Sequence, residues 1–219
     1  GKIPVPAKRR AGWNDRQLNA STVARMVQDA GAAAVTIHGR TAAQSYSGYA
    51  DWSLVTRVAA ELDIPVIGSG DCTEPEHVVD RLISGVDGVV VGRGVLRNPW
   101  ILVQAYDLIM GEAPRRVTRA MRGEFLLEYI DLLLGDIAHE AAGFRHQAPT
   151  TGDGVATHRP AHGREKWVIN KIRALNAWFS KGYEGGAQFR IAINHCHSIA
   201  ELRDHIDAFF FADTQATVA

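Results

Sequence analysis

Along the first hundred residues, short apolar runs of strand length alternate with stretches whose apolar positions recur at helical spacing. Val5-Pro6-Ala7-Lys8 reads as a short strand, and Pro6 is tolerated there only where its missing N–H is not needed. From about residue 20, Val23, Met26, Val27 and Ala30 predict one apolar helix face, stopped by Gly31. Ala33-Ala34-Val35-Thr36-Ile37 predicts a second strand, closing in His38-Gly39-Arg40-Thr41 and followed by a helix with Val55, Val58, Ala59 and Leu62 on one face. Ile64-Pro65-Val66-Ile67 closes in Gly68-Ser69-Gly70-Asp71, and Thr73 with Glu76 predicts a capping box for a third helix bearing Val78, Val79, Leu82 and Ile83. A fourth strand, Gly88-Val89-Val90-Val91, closes in Gly92-Arg93-Gly94.

Strands of continuous rather than alternating apolarity, each followed by a helix, predict a parallel sheet buried on both faces. A doubly wound sheet and a barrel both answer to that. Each strand here closes in a polar or Gly-rich cluster, as expected where βα loops converge on a barrel mouth, so the fold class read is α/β: the C-terminal half of a TIM-type (β/α)8 barrel. From Asn98-Pro99, an N-cap and N1 pair, the pattern becomes purely helical and predicts an all-α helical domain. The expected division is 1–110 and 111–219. Residues 141–163, rich in Gly, Ala, Thr, Pro and His without periodicity, are expected to form a flexible insertion. One long helix is expected through Leu126, Tyr129, Ile130, Leu133 and Leu134, and another through Val168, Ile172, Leu175 and Phe179. Ser198 and Glu201 predict a capping box before a last helix with Leu202, Ile206 and Phe209.

Composition narrows this picture modestly. A chain of 219 residues with 46% apolar content can bury a substantial core. Lys plus Arg and Asp plus Glu are 24 each, so any nucleic-acid contact must come from local patches. Cys72 and Cys196 form no disulfide framework and suit a reducing compartment, with the cytoplasm as the default. No apolar run approaches the roughly 20 residues that span a bilayer, so no membrane association is expected. The start directly on a strand, and the open edges of a four-unit apolar sheet, lead us to expect that the sequence is truncated upstream.

The strand ends carry the candidate chemistry. Glycines at Gly68-Ser69-Gly70-Asp71 and Gly92-Arg93-Gly94 let exposed N–H groups approach an anion, and Arg93 supplies charge, which reads as a phosphate site shared by adjacent strand ends. The alternative is glycines that serve tight turns alone. Lys8, at the end of the first strand, projects into the same mouth, unless it belongs to a solvated Lys8-Arg9-Arg10 run. His38 is as readily a ligand contact as a structural histidine. Cys72 reads as a small buried residue. His158, His162 and His195-Cys196-His197 lack the spacing or partners of a metal site, and no metal is expected. Arg115, Arg116, Arg119 and Arg122, with Lys166, Lys171, Arg173 and Lys181 interleaved by Trp167 and Trp178, read either as RNA contacts or as a solvated face over core tryptophans.

Four segments in this order and spacing resemble the tRNA-dihydrouridine synthases. They are Lys8-Arg9-Arg10-Ala11-Gly12-Trp13, Thr36-Ile37-His38-Gly39-Arg40-Thr41, Ile64-Pro65-Val66-Ile67-Gly68-Ser69-Gly70-Asp71, and Val91-Gly92-Arg93-Gly94 leading to Asn98-Pro99-Trp100. The resemblance implies an FMN-dependent barrel with a helical domain, reducing a uridine of the tRNA D-arm with NADPH as reductant. It implies that Lys8 and His38 line the flavin, that Ser69, Gly70, Asp71, Gly92 and Arg93 hold its ribityl-phosphate end, and that Arg40 joins the RNA contacts. Ser69 stands where the family usually has Asn, and the family's proton-donating cysteine belongs to a segment not in this sequence, so no catalytic residue is assigned here. The alternatives are another phosphate-binding barrel enzyme, either a different FMN oxidoreductase or a phosphosugar isomerase, and a non-catalytic RNA-binding fragment.

Overall fold

The computed structural model describes residues 3–135 and 161–212. The chain divides into two compact units, Gly1–Arg116 and Val117–Ala219. In the first, β1 (Pro6–Arg10), β2 (Ala34–His38), β3 (Val66–Ser69) and β4 (Gly88–Val90) form a parallel sheet in the order β1-β2-β3-β4. Between them run α1 (Ala20–Asp29), α2 (Trp52–Glu61) and α3 (Pro75–Ile83), and beyond β4 lie α4 (Arg93–Arg97) and α5 (Ile101–Ile109). Strand order follows chain order without reversal, as it does around a β/α barrel.

Crossovers that all run one way gather the helices on a single face. Val35 and Ile37 of β2 are fully buried under that cover with Val55 and Val58 of α2, each burial contributing about 1.5–3 kcal/mol. Burial on both faces, expected from the apolar runs, is not what forms. β2 alternates buried and half-buried positions, and β1 is mostly exposed. The alternate positions Lys8, Arg10, Thr36, His38 and Ser69 lie on the other, polar face. Pro6 opens β1, an edge strand, as its missing N–H requires.

Helix details also depart from the expectation. α1 buries Ala20 and Ala24 and half-buries Val23 and Val27, while Met26 is exposed and Arg25 pairs with Glu61 of α2. Thr73 and Glu76 form no capping box. α3 starts at Pro75 with no side-chain cap, Thr73 leans on His77 Nδ1, and Ile83 is exposed. Asn98 caps a turn rather than a helix, its Oδ1 accepting from Trp100 N–H, so α5 begins at Ile101.

The second unit packs α6 (Arg119–Gly135), α7 (Ala161–Phe179), α8 (Gly186–His195) and α9 (Ile199–Phe210). Leu126, Ile130, Val168, Ile172, Phe179, Leu202 and Ile206 are fully buried, at the periodic positions read from sequence. Ser198 caps α9 as expected, accepting from Glu201 N–H, while the Glu201 carboxylate accepts from His197 N–H. Of the expected insertion 141–163, residues 141–160 lie outside the described residues and the last three open α7. Among the described residues, no helix is long and apolar enough to cross a membrane.

Candidate functional site

Parallel register puts Arg10, His38, Ser69 and Val90 side by side across the carboxyl ends of the four strands, one layer above Lys8, Thr36, Ile67 and Gly88. Paired residues in a sheet project to the same face. His38 Nδ1 lies 3.1 Å from Ser69 Oγ, so the Ser69 hydroxyl orients the imidazole. The other ring nitrogen, Nε2, is buried and has no partner among the described residues. Burial, and then the charges of Arg10, Lys8 and Arg40, hold the His38 pKa below its ordinary value against the opposing pull of Asp71. These influences together favour the neutral ring. Lys8 is exposed and lines a cleft with Arg10, Gly12 and Trp13.

Gly70 follows Ser69 with φ +132°, and a Cβ there would meet Ala50 Cβ at 2.5 Å. Its carbonyl accepts from Trp52 Nε1 at 3.0 Å. Asp71 also sits at positive φ, +53°. Its Oδ1 accepts from Arg40 at 2.6 Å and its Oδ2 from Ala50 N–H at 2.7 Å. Burial alone would raise this carboxyl, but the Ala50 and Arg40 bonds outweigh it and hold the pKa low. A Cβ on Gly92 would meet nothing within 4 Å, so backbone access at that strand end is open. Arg93, 58% exposed, lies 3.8 Å from Asp71 and 4.5 Å above the Tyr46 ring.

Arg40, read with the RNA contacts, is placed inside the strand-end network. Its side chain is 2% exposed, donating to Ser47 O (3.0 Å), Gly48 O (2.7 Å) and Asp71, so it ties a loop to two strand ends and presents nothing to RNA. Arg10 donates to Thr41 O at 2.8 Å and Ser45 O at 3.0 Å. Tyr46 was missed altogether, since an exposed tyrosine among Ser, Gln and Gly carries no periodic signal. Arg10 had one: it follows Lys8 by two residues and so shares its strand face.

Cys72 is buried, its Sγ faces Gly70 O, and burial pushes its thiol up to about 11. Burial also raises Cys196. Neither is a reactive thiolate. Among the described residues, no three His, Cys, Asp or Glu side chains converge as a metal site would need.

The basic residues of the expected RNA set separate into three groups. Arg115 forks onto the buried Asp107 at 2.6 and 2.9 Å and holds that carboxyl down at about 2, while Arg173 donates to Ile193 O in the last turn of α8 and to Cys196 O just after it. Both are engaged internally. Arg119 and Arg122 stack over Phe209, Phe179 and Tyr183 at 4.4 to 6.0 Å. Arg116, Lys166 and Lys171 are exposed, Lys171 lying 5.2 Å over Trp167.

A family model described as dihydrouridine synthase matches residues 1–213. The chain is similar to a probable tRNA-dihydrouridine synthase of Rickettsia typhi, 32% identical over 213 residues, covering 96% of this chain and 57% of that protein. It is also similar to tRNA-dihydrouridine synthase B of Xanthomonas axonopodis pv. citri, 30% identical over 212 residues and covering 94% and 56%. The chain thus spans little more than half the length of these relatives. A solved nitroalkane oxidase from Streptomyces ansochromogenes overlaps 55% of the chain at 22% identity with a TM-score of 0.34, too slight a likeness to bear on the fold.

Proposed function

Because the chain belongs to the dihydrouridine synthase family, we propose that it carries the flavin-phosphate and tRNA-binding part of an oxidoreductase that reduces a D-arm uridine to 5,6-dihydrouridine. We read its sheet as half of a TIM-type barrel and Val117–Ala219 as the tRNA-binding domain. The observation that carries the reading is the buried Nε2 of His38, without a partner among the described residues, near Gly70, Gly92 and Arg93 at adjacent strand ends.

The residues present fit FMN. When bound, the reduced flavin supplies hydride to the uracil ring, with NADPH as the source of its electrons. His38 offers one ring nitrogen whose role follows from the other's bond to Ser69. Lys8 supplies positive charge to the same face, where negative charge on a reduced flavin is stabilised. Gly70 and Gly92 give backbone access to the ribityl-phosphate end, and Arg93 supplies the cation. A carboxylate beside a phosphate is normally repulsive. Asp71 escapes that objection because Arg40 neutralises it at 2.6 Å, and its part is to fix the strand end rather than to touch the anion. Arg116 at the end of the sheet-bearing unit, and Lys166 and Lys171 on the helical unit, are exposed and suit phosphate contact, while Arg119 and Arg122 lie over the helical unit's own Phe209, Phe179 and Tyr183. Proton delivery to the base falls to neither cysteine, so these 219 residues alone are expected to bind flavin and RNA without completing the reduction.

The test is direct. The purified chain should be yellow and should release FMN on denaturation, and Arg93→Ala should lower its occupancy. A folded chain that never retains flavin refutes the proposal, as would a phosphosugar substrate turned over without flavin. Dihydrouridine formed by this chain with FMN and NADPH would refute the assignment of proton delivery elsewhere.

A further inference from the structure

We propose that Tyr46 is a positioning residue, whose ring holds the Arg93 guanidinium in place for a flavin phosphate before the ligand arrives. The inference rests on the flavin reading above and adds a residue to it. Among the described residues, two groups touch Arg93: the Tyr46 ring at 4.5 Å and Asp71 at 3.8 Å. Asp71 is much closer to the buried Arg40, at 2.6 Å, and also accepts from Ala50 N–H. Attraction falls with distance and is stronger away from water, so most of the Asp71 charge is spent on Arg40. Arg93 thus keeps a charge that an anion can use, while its direction is set chiefly by the ring.

The ring can do this because its own backbone is fixed. Ser45, immediately before it, has φ +51° and gives its carbonyl to Arg10, and Ser47, immediately after it, gives its carbonyl to Arg40. Thr41 and Gln44 bond each other's side chains and backbone across the turn that precedes it. An arginine more than half exposed otherwise samples many rotamers, and fixing it beforehand removes that ordering cost from binding.

The experiment compares FMN with riboflavin, which lacks only the phosphate, by fluorescence titration of the full chain. Tyr46→Leu should weaken FMN about two- to fivefold, the worth of an exposed cation–π contact, and leave riboflavin unchanged. Tyr46→Phe, which keeps the ring, should bind FMN as the wild type does. In an Arg93→Ala background, Tyr46→Leu should add nothing. Equal losses on both flavins, no loss at all, or a full further loss without Arg93 would overturn the inference. A wild type that binds riboflavin as tightly as FMN would instead bring down the phosphate reading, and this inference with it. A ligand-free readout stands apart from both: the Arg93 side-chain protons should show a ring-current shift that Tyr46→Leu abolishes and Tyr46→Phe keeps. Its absence in the wild type overturns the proposal whatever the flavin result.

Discussion

Replacing Gly70 by alanine tests the strand-end geometry most sharply. Its φ of +132° lies where side-chain-bearing residues are rarely found, at a cost of about 1–3 kcal/mol. The new Cβ would stand 2.5 Å from Ala50 Cβ, an overpacking cost of again about 1–3 kcal/mol. Ala50 cannot easily retreat, because its N–H is held by Asp71 at 2.7 Å. Together these give a loss of about 2–6 kcal/mol in the sheet-bearing unit. Native-state hydrogen exchange of the Val35 amide, bonded to Pro65 O, reads that unit alone. Ala50→Gly in the same chain should recover the contact share and leave the backbone share. A Gly70→Ala chain within about 0.5 kcal/mol of wild type, or one that Ala50→Gly fails to improve, would refute the reasoning.

Arg40→Met should destabilise the same unit by about 2–3 kcal/mol, below the ~3–5 kcal/mol of a fully buried pair because Asp71 is 25% exposed, and Arg40→Met/Asp71→Asn should recover part of it by the same assay. For His38 the folded pKa lies below the unfolded value of 6.5, so the unfolded chain protonates first. Stability should therefore fall as pH drops through about 6.5 and continue falling until the folded ring is itself protonated; NMR titration of His38 above 6.5 would contradict this. With its thiol at about 11, Cys72 is ionised to only about one part in a thousand at pH 8, so alkylation followed by mass spectrometry should label it only on unfolding. Arg173→Ala should cost the helical unit about 1–3 kcal/mol with RNA affinity falling only as folding does, whereas Lys171→Ala should lower RNA binding in a filter assay at unchanged stability.

Periodicity made the sheet legible because four βα units repeat one signal. It made the helical core legible where apolar spacing was sustained, as at Val168, Ile172, Leu175 and Phe179. It failed at helix starts, which depend on one local geometry: Ser198 found its partner amide, whereas Pro75 took over the start that Thr73 and Glu76 suggested. α4 and α8 went unread, the first because five residues hold little period, the second because only Phe189 and Ile193 mark its face. Site glycines could be picked from their place after strands. The destinations of the arginines could not, because a guanidinium that reaches a loop carbonyl, as Arg10 and Arg40 do, looks in sequence like one that reaches solvent.

The stretch from Thr41 to Ala50 is gripped from three strands at once, by Arg10 after β1's other residues, Arg40 beyond β2 and Asp71 beyond β3, and closed at its base by Asp51 N–H on Gly39 O. Loops at the mouth of such sheets are ordinarily where insertions accumulate as functions diverge. This one has no slack to lengthen, since one added residue would displace several of its carbonyls from their arginines. Variation among relatives should therefore enter it by exchange of outward side chains such as Tyr49, at constant length, and a graft or tag inserted here should fail where the same insertion elsewhere on the rim succeeds.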